Sequence, residues 1–161
     1  MRQGLARTVV VLLMVALAPS AARTHSHKKS ALEVVHPWTP APTKEAVENV
    51  AVYLTVKNAG ASAERLVGAE CPLAEKVELV DLQSVAGMTL PTTVAALAVP
   101  AHGQLVLGPA GPRLLLHKLA KRLHAYDSFP VTLVFEKAGR MPVEVMVEEE
   151  EAGEDGAKHK H

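Results

Sequence analysis

The residues best able to do chemistry in this chain are those that bind transition metals: eight histidines, five methionines and one cysteine. Imidazole nitrogen suits copper, zinc and nickel, whereas thioether sulfur selects soft ions such as Cu(I). Four of the histidines lie near the ends of the chain, at His25, His27, His159 and His161. Short histidine-rich segments often bind metal, so these four are candidate ligands.

The motifs of common enzyme classes are missing from the sequence. It has no Gly-x-Ser-x-Gly elbow, no His-Glu-x-x-His pair, no phosphate-binding glycine loop and no dinucleotide fingerprint. Isolated carboxylates such as Glu78 and Asp81 fit the solvent face of a strand better than a catalytic pair. We therefore predict that the protein is not an enzyme.

Composition and charge exclude two further classes. Hydrophobic residues make up 48% of the 161 residues, enough to bury a core, which excludes global disorder. The 17 basic and 17 acidic residues balance to zero, and aromatic residues amount to 3%. The chain therefore has neither the broad basic face nor the stacking platform expected of a nucleic-acid-binding protein.

The first 22 residues have the layout of a secretory signal peptide. Arg2 and Arg7 precede the apolar run 9–18, and small residues follow at 19–22. The run of ten is too short to span a bilayer, which takes about 20 residues. We predict an exported protein, periplasmic or otherwise outside the cytoplasm, with no membrane span after cleavage.

The remaining chain divides into three parts. Residues 23–30 are polar and predict a flexible histidine-containing arm, and residues 148–161 predict a disordered acidic and histidine-bearing tail. Residues 31–147 between them form one domain. Cleavage after Ala22 would expose Arg23-Thr24-His25, whose amine, two amides and imidazole form a square-planar site for Cu(II) or Ni(II). Cleavage one or two residues earlier would remove that arrangement. The alternative for the Lys-His-Lys-His end is a solubilising tail.

A two-residue hydrophobic period runs through the domain. Val50, Val52, Leu54 and Val56 alternate with residues of the other face, and residues 131–135 and 143–147 repeat the pattern. Turn residues between these runs divide the domain into seven to nine short strands. Residues 114–123 have helical propensity, but the Leu114-Leu115-Leu116 run favours an extended start. The pattern predicts an all-β fold, an antiparallel β-sandwich.

Several segments, in this order, resemble the periplasmic copper chaperones of the PCu(A)C family. They are His36-Pro37-Trp38, Ala51 to Gly60, Arg65 to Ala69, Lys76-Val77-Glu78-Leu79, Val99 to Gly103, and Asp127 to Gly139. The resemblance implies a cupredoxin-like β-sandwich that holds copper and passes it to a respiratory copper centre, such as that of cytochrome oxidase.

The family's Cu(I) ligands are replaced in this chain. The family pattern is His-x10-Met-x21-His-x-Met, and its spacing places the four positions at Val80, Pro91, Arg113 and Leu115. None of these side chains has a donor atom for copper. The standard copper site is therefore predicted to be absent, and these four are called the inherited positions below.

Nearby residues offer a substitute set of ligands. His117 lies one step along the strand face from Arg113 and Leu115, Met88 lies three residues before Pro91, and His102 lies in an Ala-His-Gly turn. The alternative is that His117 is an ordinary surface histidine and Met88 a gap-filling thioether, and the cationic Arg113 favours that alternative. Cys71 is predicted to be buried and inert. Two functions remain: an exported copper chaperone, and a β-sandwich that lost its ligands and serves as a protein-interaction module.

Overall fold

The computed structural model describes residues 26–42 and 49–149. The predicted signal peptide, residues 23–25 and residues 150–161 lie outside them. The described chain is all-β, and its strands are β1 (Ser26–Lys29), β2 (Leu32–Pro40), β3 (Asn49–Asn58), β4 (Glu64–Glu70), β5 (Ala74–Val85), β6 (Met88–Thr93), β7 (Leu97–Val99), β8 (Gly103–Leu107), β9 (Arg113–Leu119), β10 (Ser128–Phe135) and β11 (Gly139–Glu148).

Strand β3 joins the two sheets of a cupredoxin-like β-sandwich. Its first residues, 49–52, pair with β9, and β9 continues through β5 to the edge strand β6. Its later residues pair with β2 and β8, and β2 leads through β11 and β10 to β4 and β7. Every pair is antiparallel except β2 with β11. The predicted antiparallel β-sandwich is thus confirmed, with one parallel pair added.

The side chains that alternate with a period of two along the strands form the core. The inward residues of β3 (Val50, Val52, Leu54 and Val56) are buried. The alternate residues of β10 and β11 are buried as well: Phe129, Val131, Leu133, Phe135, Met141, Val143, Val145 and Val147. These side chains form one continuous cluster with Leu114 and Leu116 of β9. Strand β9 is extended, as the run of three leucines predicted.

The predicted arm and the number of strands differ from the sequence expectation. Part of the predicted arm, Ser26–Lys29, forms β1 against β2, from Ser26 opposite Val35 to Lys29 opposite Leu32. The Lys29 ammonium also donates a 2.8 Å hydrogen bond to the Arg140 carbonyl. Strand pairing through the backbone needs no apolar period, which explains why the hydrophobic pattern missed it. From residue 32 onward ten strands are described, where seven to nine were predicted, and β1 precedes them.

A buried carboxylate ties the turn after β10 to the start of β4. Glu64 is 6% exposed and accepts hydrogen bonds from the N–H groups of Arg65 (2.8 Å), Lys137 (3.1 Å) and Ala138 (2.9 Å). Burial raises the pKa of Glu64, but these three donors together with the Lys137 charge outweigh it, so the pKa lies below the ordinary carboxyl value.

Among the described residues, no helix has the length and hydropathy needed to cross a membrane.

Candidate metal centre

The four inherited positions meet on one face of the sheet formed by β6, β5 and β9. Val80 is the register partner of Arg113, and Leu115 that of Glu78. Pro91 pairs with Leu82, two residues along β5 from Val80. Register partners on antiparallel strands present their side chains to the same face. The four positions that the family spacing selects are therefore neighbours in space as well. The four inherited positions themselves lack donor atoms, because Val80, Pro91, Arg113 and Leu115 supply none.

An ion-pair cluster lies beside these positions on the same face. The His117 ring nitrogen Nε2 lies 2.8 Å from Glu78 Oε2, and the Lys76 ammonium donates to the other carboxylate oxygen of Glu78 at 2.5 Å. Both His117 and Glu78 are largely covered, at 26% and 19% side-chain exposure. The hydrogen bonds from Lys76 and then His117 hold the pKa of Glu78 below its ordinary value. With Lys76 and Arg113 both cationic, this face opposes a metal cation.

Met88 lies far from His117, at the opposite end of β5. It pairs with Val85 across a two-residue turn, Ala86-Gly87, in which both residues have positive φ. His117 pairs with Lys76, nine residues before Val85, which corresponds to about 30 Å along the strand. The Met88 side chain is 61% exposed at the tip of this hairpin.

His102 occupies a third location, in the turn between β7 and β8. It precedes Gly103, the partner of Asn58 in β3, whereas His117 is the partner of Asn49 at the other end of β3. Nine residues again separate the two points, about 30 Å along the strand. The structure therefore does not bring Met88, His102 and His117 together. Within residues 26–42 and 49–149, no group of three or more His, Cys, Asp or Glu side chains is placed to hold a metal ion.

Cys71 is a free, buried cysteine between β4 and β5. Burial raises the pKa of its thiol above the ordinary value, against hydrogen bonds from the backbone at Leu73 and Ala74. A buried thiol with a raised pKa is a weak nucleophile and a poor metal ligand at neutral pH.

Sequence reasoning missed a second histidine–carboxylate pair, which links β2 to β11. His36 Nε2 lies 2.6 Å from Glu148 Oε1, and both side chains are accessible. The register of β2 against β3 shifts between Val35 and Trp38, and His36 has a φ of 50° within that bulge. His36-Pro37-Trp38 was visible in the sequence only as a family segment. Its partner is 112 residues away, and no local pattern shows that separation.

The terminal candidates are only partly described. His25, His159 and His161 lie outside the described residues. The backbone of His27 is in β1, opposite Val34. Their metal-binding role remains a prediction.

Comparison with known proteins places this arrangement in a family. The family model described as "LpqE-like: Putative lipoprotein LpqE-like" matches residues 32–147. A protein of Leifsonia xyli subsp. xyli (strain CTCB07) named "Putative lipoprotein Lxx21020" is 27% identical over 132 residues, which cover 81% of this chain and 78% of that protein.

The solved structures with similar folds include PCuAC domains. The copper-bound PCuAC domain from PmoF2 has a TM-score of 0.66 and 25% identity, covering 78% of this chain and 99% of that domain. The solution structure of the Cu(I) form of DR1885 from Deinococcus radiodurans has a TM-score of 0.58 and 25% identity, covering 77% of this chain and 80% of that one. The match of the family model across nearly the whole sandwich, together with this fold, shows that the chain belongs to the LpqE-like family and has a PCuAC-type domain.

Proposed function

We propose that this protein is an exported copper-binding protein of the PCuAC type, which delivers copper to a respiratory copper centre. The observation that carries the proposal is the match in fold to two PCuAC structures that contain copper, at 25% identity each. Export is supported by the signal-like residues 1–22 and by the lipoprotein name of the Leifsonia relative.

Copper in this proposal is held by the histidines at the chain ends instead of the inherited positions. The four inherited positions have no donor atoms, and on the same face the His117–Glu78 pair lies beside two cations, Lys76 and Arg113. His25, His27, His159 and His161, by contrast, supply four imidazoles within two short segments of the sequence. If the mature chain begins at Arg23, its amine, two amides and the His25 imidazole complete a square plane suited to Cu(II) and Ni(II) and poorly suited to Zn(II).

Replacing the four terminal histidines by alanine in the exported protein tests this assignment. We expect the variant to lose most of its Cu(II) binding in titrations followed by visible spectroscopy, whereas His124→Ala, a change at an exposed histidine outside the proposed set, binds normally. Mass spectrometry of the mature N-terminus, and extension of that end by one residue, separate the square-planar site from simple histidine binding. Undiminished Cu(II) binding by the four-histidine variant contradicts the terminal assignment.

Delivery needs its own measurement. Copper-loaded protein is mixed with the isolated apo copper domain of a cytochrome oxidase, and the spectrum of the acceptor is followed. Transfer faster than from free copper at the same concentration supports the chaperone role. A rate equal to that of free copper contradicts it.

A second candidate function is favoured by the ion-pair cluster. A charged, hydrogen-bonded surface lies beside the inherited positions and consists of Lys76, Glu78 and His117. Such a surface fits a protein-interaction module that has given up the core metal site. If the protein has this function, the wild type does not bind Cu(I) in competition with a strong chelator. Its affinity for Cu(II) is then no higher than that of an ordinary surface histidine.

A further inference from the structure

The core explains the burial of only one face of β3. Val52 and Leu54 point into the core, whereas Tyr53 between them points to the outer face and is still only 9% exposed. Outward positions of a sandwich strand are usually polar, because they face solvent. Trp38 is the register partner of Tyr53 and packs on it with ring centroids 5.0 Å apart. The outer face of β3 therefore has an aromatic surface that the core does not require.

Arg113 lies beside this aromatic surface. Leu115 pairs with Ala51, and Arg113 precedes Leu115 by two residues just as Tyr53 follows Ala51 by two. Because side chains two residues apart on a strand share a face, Arg113 and Tyr53 are neighbours on the outer face. Arg113 also pairs with Val80, which is 5% exposed. One row of side chains thus crosses four strands: Val80, Arg113, Tyr53 and Trp38.

Arg113 has no carboxylate partner within the described part of the chain. Its guanidinium forms no ion pair there, and Nη1 donates one long hydrogen bond, of 3.4 Å, to the Gly111 carbonyl. Glu78, which lies on the same face, is already bound by Lys76 and His117. A guanidinium has five N–H donors and no acceptor. Most of the Arg113 donors are therefore available to a molecule that binds this face.

The Tyr53 hydroxyl is a second donor without a partner. The side chain is about nine-tenths covered, yet its hydroxyl forms no hydrogen bond with any described residue. A buried tyrosine usually finds a partner for its O–H group. Every fully enclosed polar side-chain atom of the described residues is hydrogen-bonded, so this unpaired hydroxyl must reach the surface. Two unpaired donors thus lie side by side on the outer face.

Apolar side chains surround the two donors. Val80, Leu115 and Trp38 share their face. Apolar surroundings lower the local dielectric constant and strengthen a charge-assisted hydrogen bond. Tryptophan, tyrosine and arginine are also the residue types enriched at the positions that contribute most to binding in protein interfaces. The row therefore has the composition of an interface centre.

A carboxylate satisfies both donors at once. Its oxygens accept two parallel hydrogen bonds from a guanidinium and keep lone pairs for a hydroxyl. We propose that the outer face around Arg113 and Tyr53 docks a partner protein through an Asp or Glu side chain of that partner, flanked by apolar side chains that cover the rest of the row. This inference rests on the second candidate function, the protein-interaction module, and identifies its surface and the chemistry of its partner.

Random peptides displayed on phage are the probe for this surface. They are selected on the immobilised exported, full mature chain, after peptides that bind the Arg113→Gln variant have been removed. We expect the enriched peptides to carry Asp or Glu beside large apolar residues. A tryptophan-free peptide from this set is then synthesised, and its binding is followed by the fluorescence of Trp38, the single tryptophan of the chain, which packs on Tyr53.

Variants on both sides identify the interaction. Arg113→Gln should weaken binding of the synthetic peptide about tenfold or more, and Tyr53→Phe about threefold, because phenylalanine keeps the ring and loses only the hydroxyl. Converting the peptide carboxylate to its amide should cost as much as Arg113→Gln, and the two losses should not add, since they remove one interaction. Arg65→Gln is the matched control, because Arg65 is an exposed arginine paired with Glu136 at 3.3 Å, and it should bind as wild type. Circular dichroism verifies that each variant folds.

Three results overturn the inference. The first is equal binding of the peptide by wild type and Arg113→Gln, or enrichment of peptides without a carboxylate. The second is a change in Trp38 emission with free acetate as large as with the peptide at the same concentration, which indicates a small-anion site. The third is self-association of the wild type that Arg113→Gln abolishes, which makes a second copy of this chain the occupant.

The same experiment distinguishes this inference from the proposed functions. Enriched peptides that bind independently of Arg113 overturn the inference and leave an interaction module at another surface, whereas no enrichment on the wild type overturns both. Cu(II) titration of Arg113→Gln should match that of wild type, because the proposed copper ligands are histidines at the chain ends. Loss of peptide binding with unchanged Cu(II) binding therefore supports the docking face independently of the copper proposal.

Discussion

At the scale of single residues, the same side-chain pair has different chemistry in different surroundings. His117 and His36 each have a glutamate on Nε2, at 2.8 Å and 2.6 Å. Lys76 also donates to the glutamate of the first pair, and the His117 side chain is 26% exposed against 60% for His36. Sequence could identify the histidines but not their partners, because Glu78 and Glu148 lie 39 and 112 residues away.

Glu64 allows a prediction about pH. Its pKa is lowered on folding, so its contribution to stability is present above the unfolded carboxyl value of 4.5 and is lost as the pH falls through the folded value. We expect Glu64→Gln to lower the free energy of unfolding by about 1 to 3 kcal/mol at pH 7, because at least one buried N–H loses its acceptor. The deficit should shrink below pH 4.5. Urea unfolding at pH 7 and pH 3.5 measures this.

The exposed Glu136 supplies the control for that measurement. It pairs with Arg65 at 3.3 Å on the surface, where an ion pair contributes little. Glu136→Gln should therefore change stability much less than Glu64→Gln at pH 7. Equal effects of the two substitutions, or a Glu64→Gln deficit independent of pH, contradict the assigned role.

At the scale of elements, strand register decides which residues share a site. The alternating pattern predicted the strands β3, β10 and β11 and their buried faces, because burial on one side of a sheet imposes a period of two. It could not predict that Met88 and His117 lie at opposite ends of β5, because register depends on pairing between distant segments. The family spacing did locate one face correctly: the four inherited positions do converge on β5, β6 and β9.

That convergence predicts that a Cu(I) site can be restored. We expect the variant V80H/P91M/R113H/L115M to bind one Cu(I) against a chelator that strips the parent protein, since two imidazoles and two thioethers suit that ion. The matched control V80H/P91M/L115M keeps Arg113 and should bind more weakly, because a fixed cation then replaces a ligand. Competition titration under reducing conditions measures both. Chelator-resistant Cu(I) in the parent, or none in the full variant, contradicts the prediction.

At the scale of the whole molecule, one core joins both sheets, so stability depends on residues far from any candidate site. Phe129 is 1% exposed within this core. We expect Phe129→Ala to lower the free energy of unfolding by about 3 to 5 kcal/mol, from lost burial and the cavity left behind. Val106 is 51% exposed, and Val106→Ala should change it by about 0.5 kcal/mol or less. Denaturant unfolding of both variants measures this, and similar losses would contradict a single shared core.

The parallel pairing of β2 with β11 sets the order in which the chain can fold. Met146 is opposite Trp38, although Met146 follows Trp38 by 108 residues in the sequence. Strand β2 can pair with β3 as soon as residue 58 is available. Its other edge can pair only with residues 146–148 of β11, near the end of the chain. Contacts this distant slow folding, since a long loop must close before they form. A chain emerging end first from a ribosome or a translocation pore thus remains an incomplete sandwich until residue 146 is free, and passage across a membrane can precede folding.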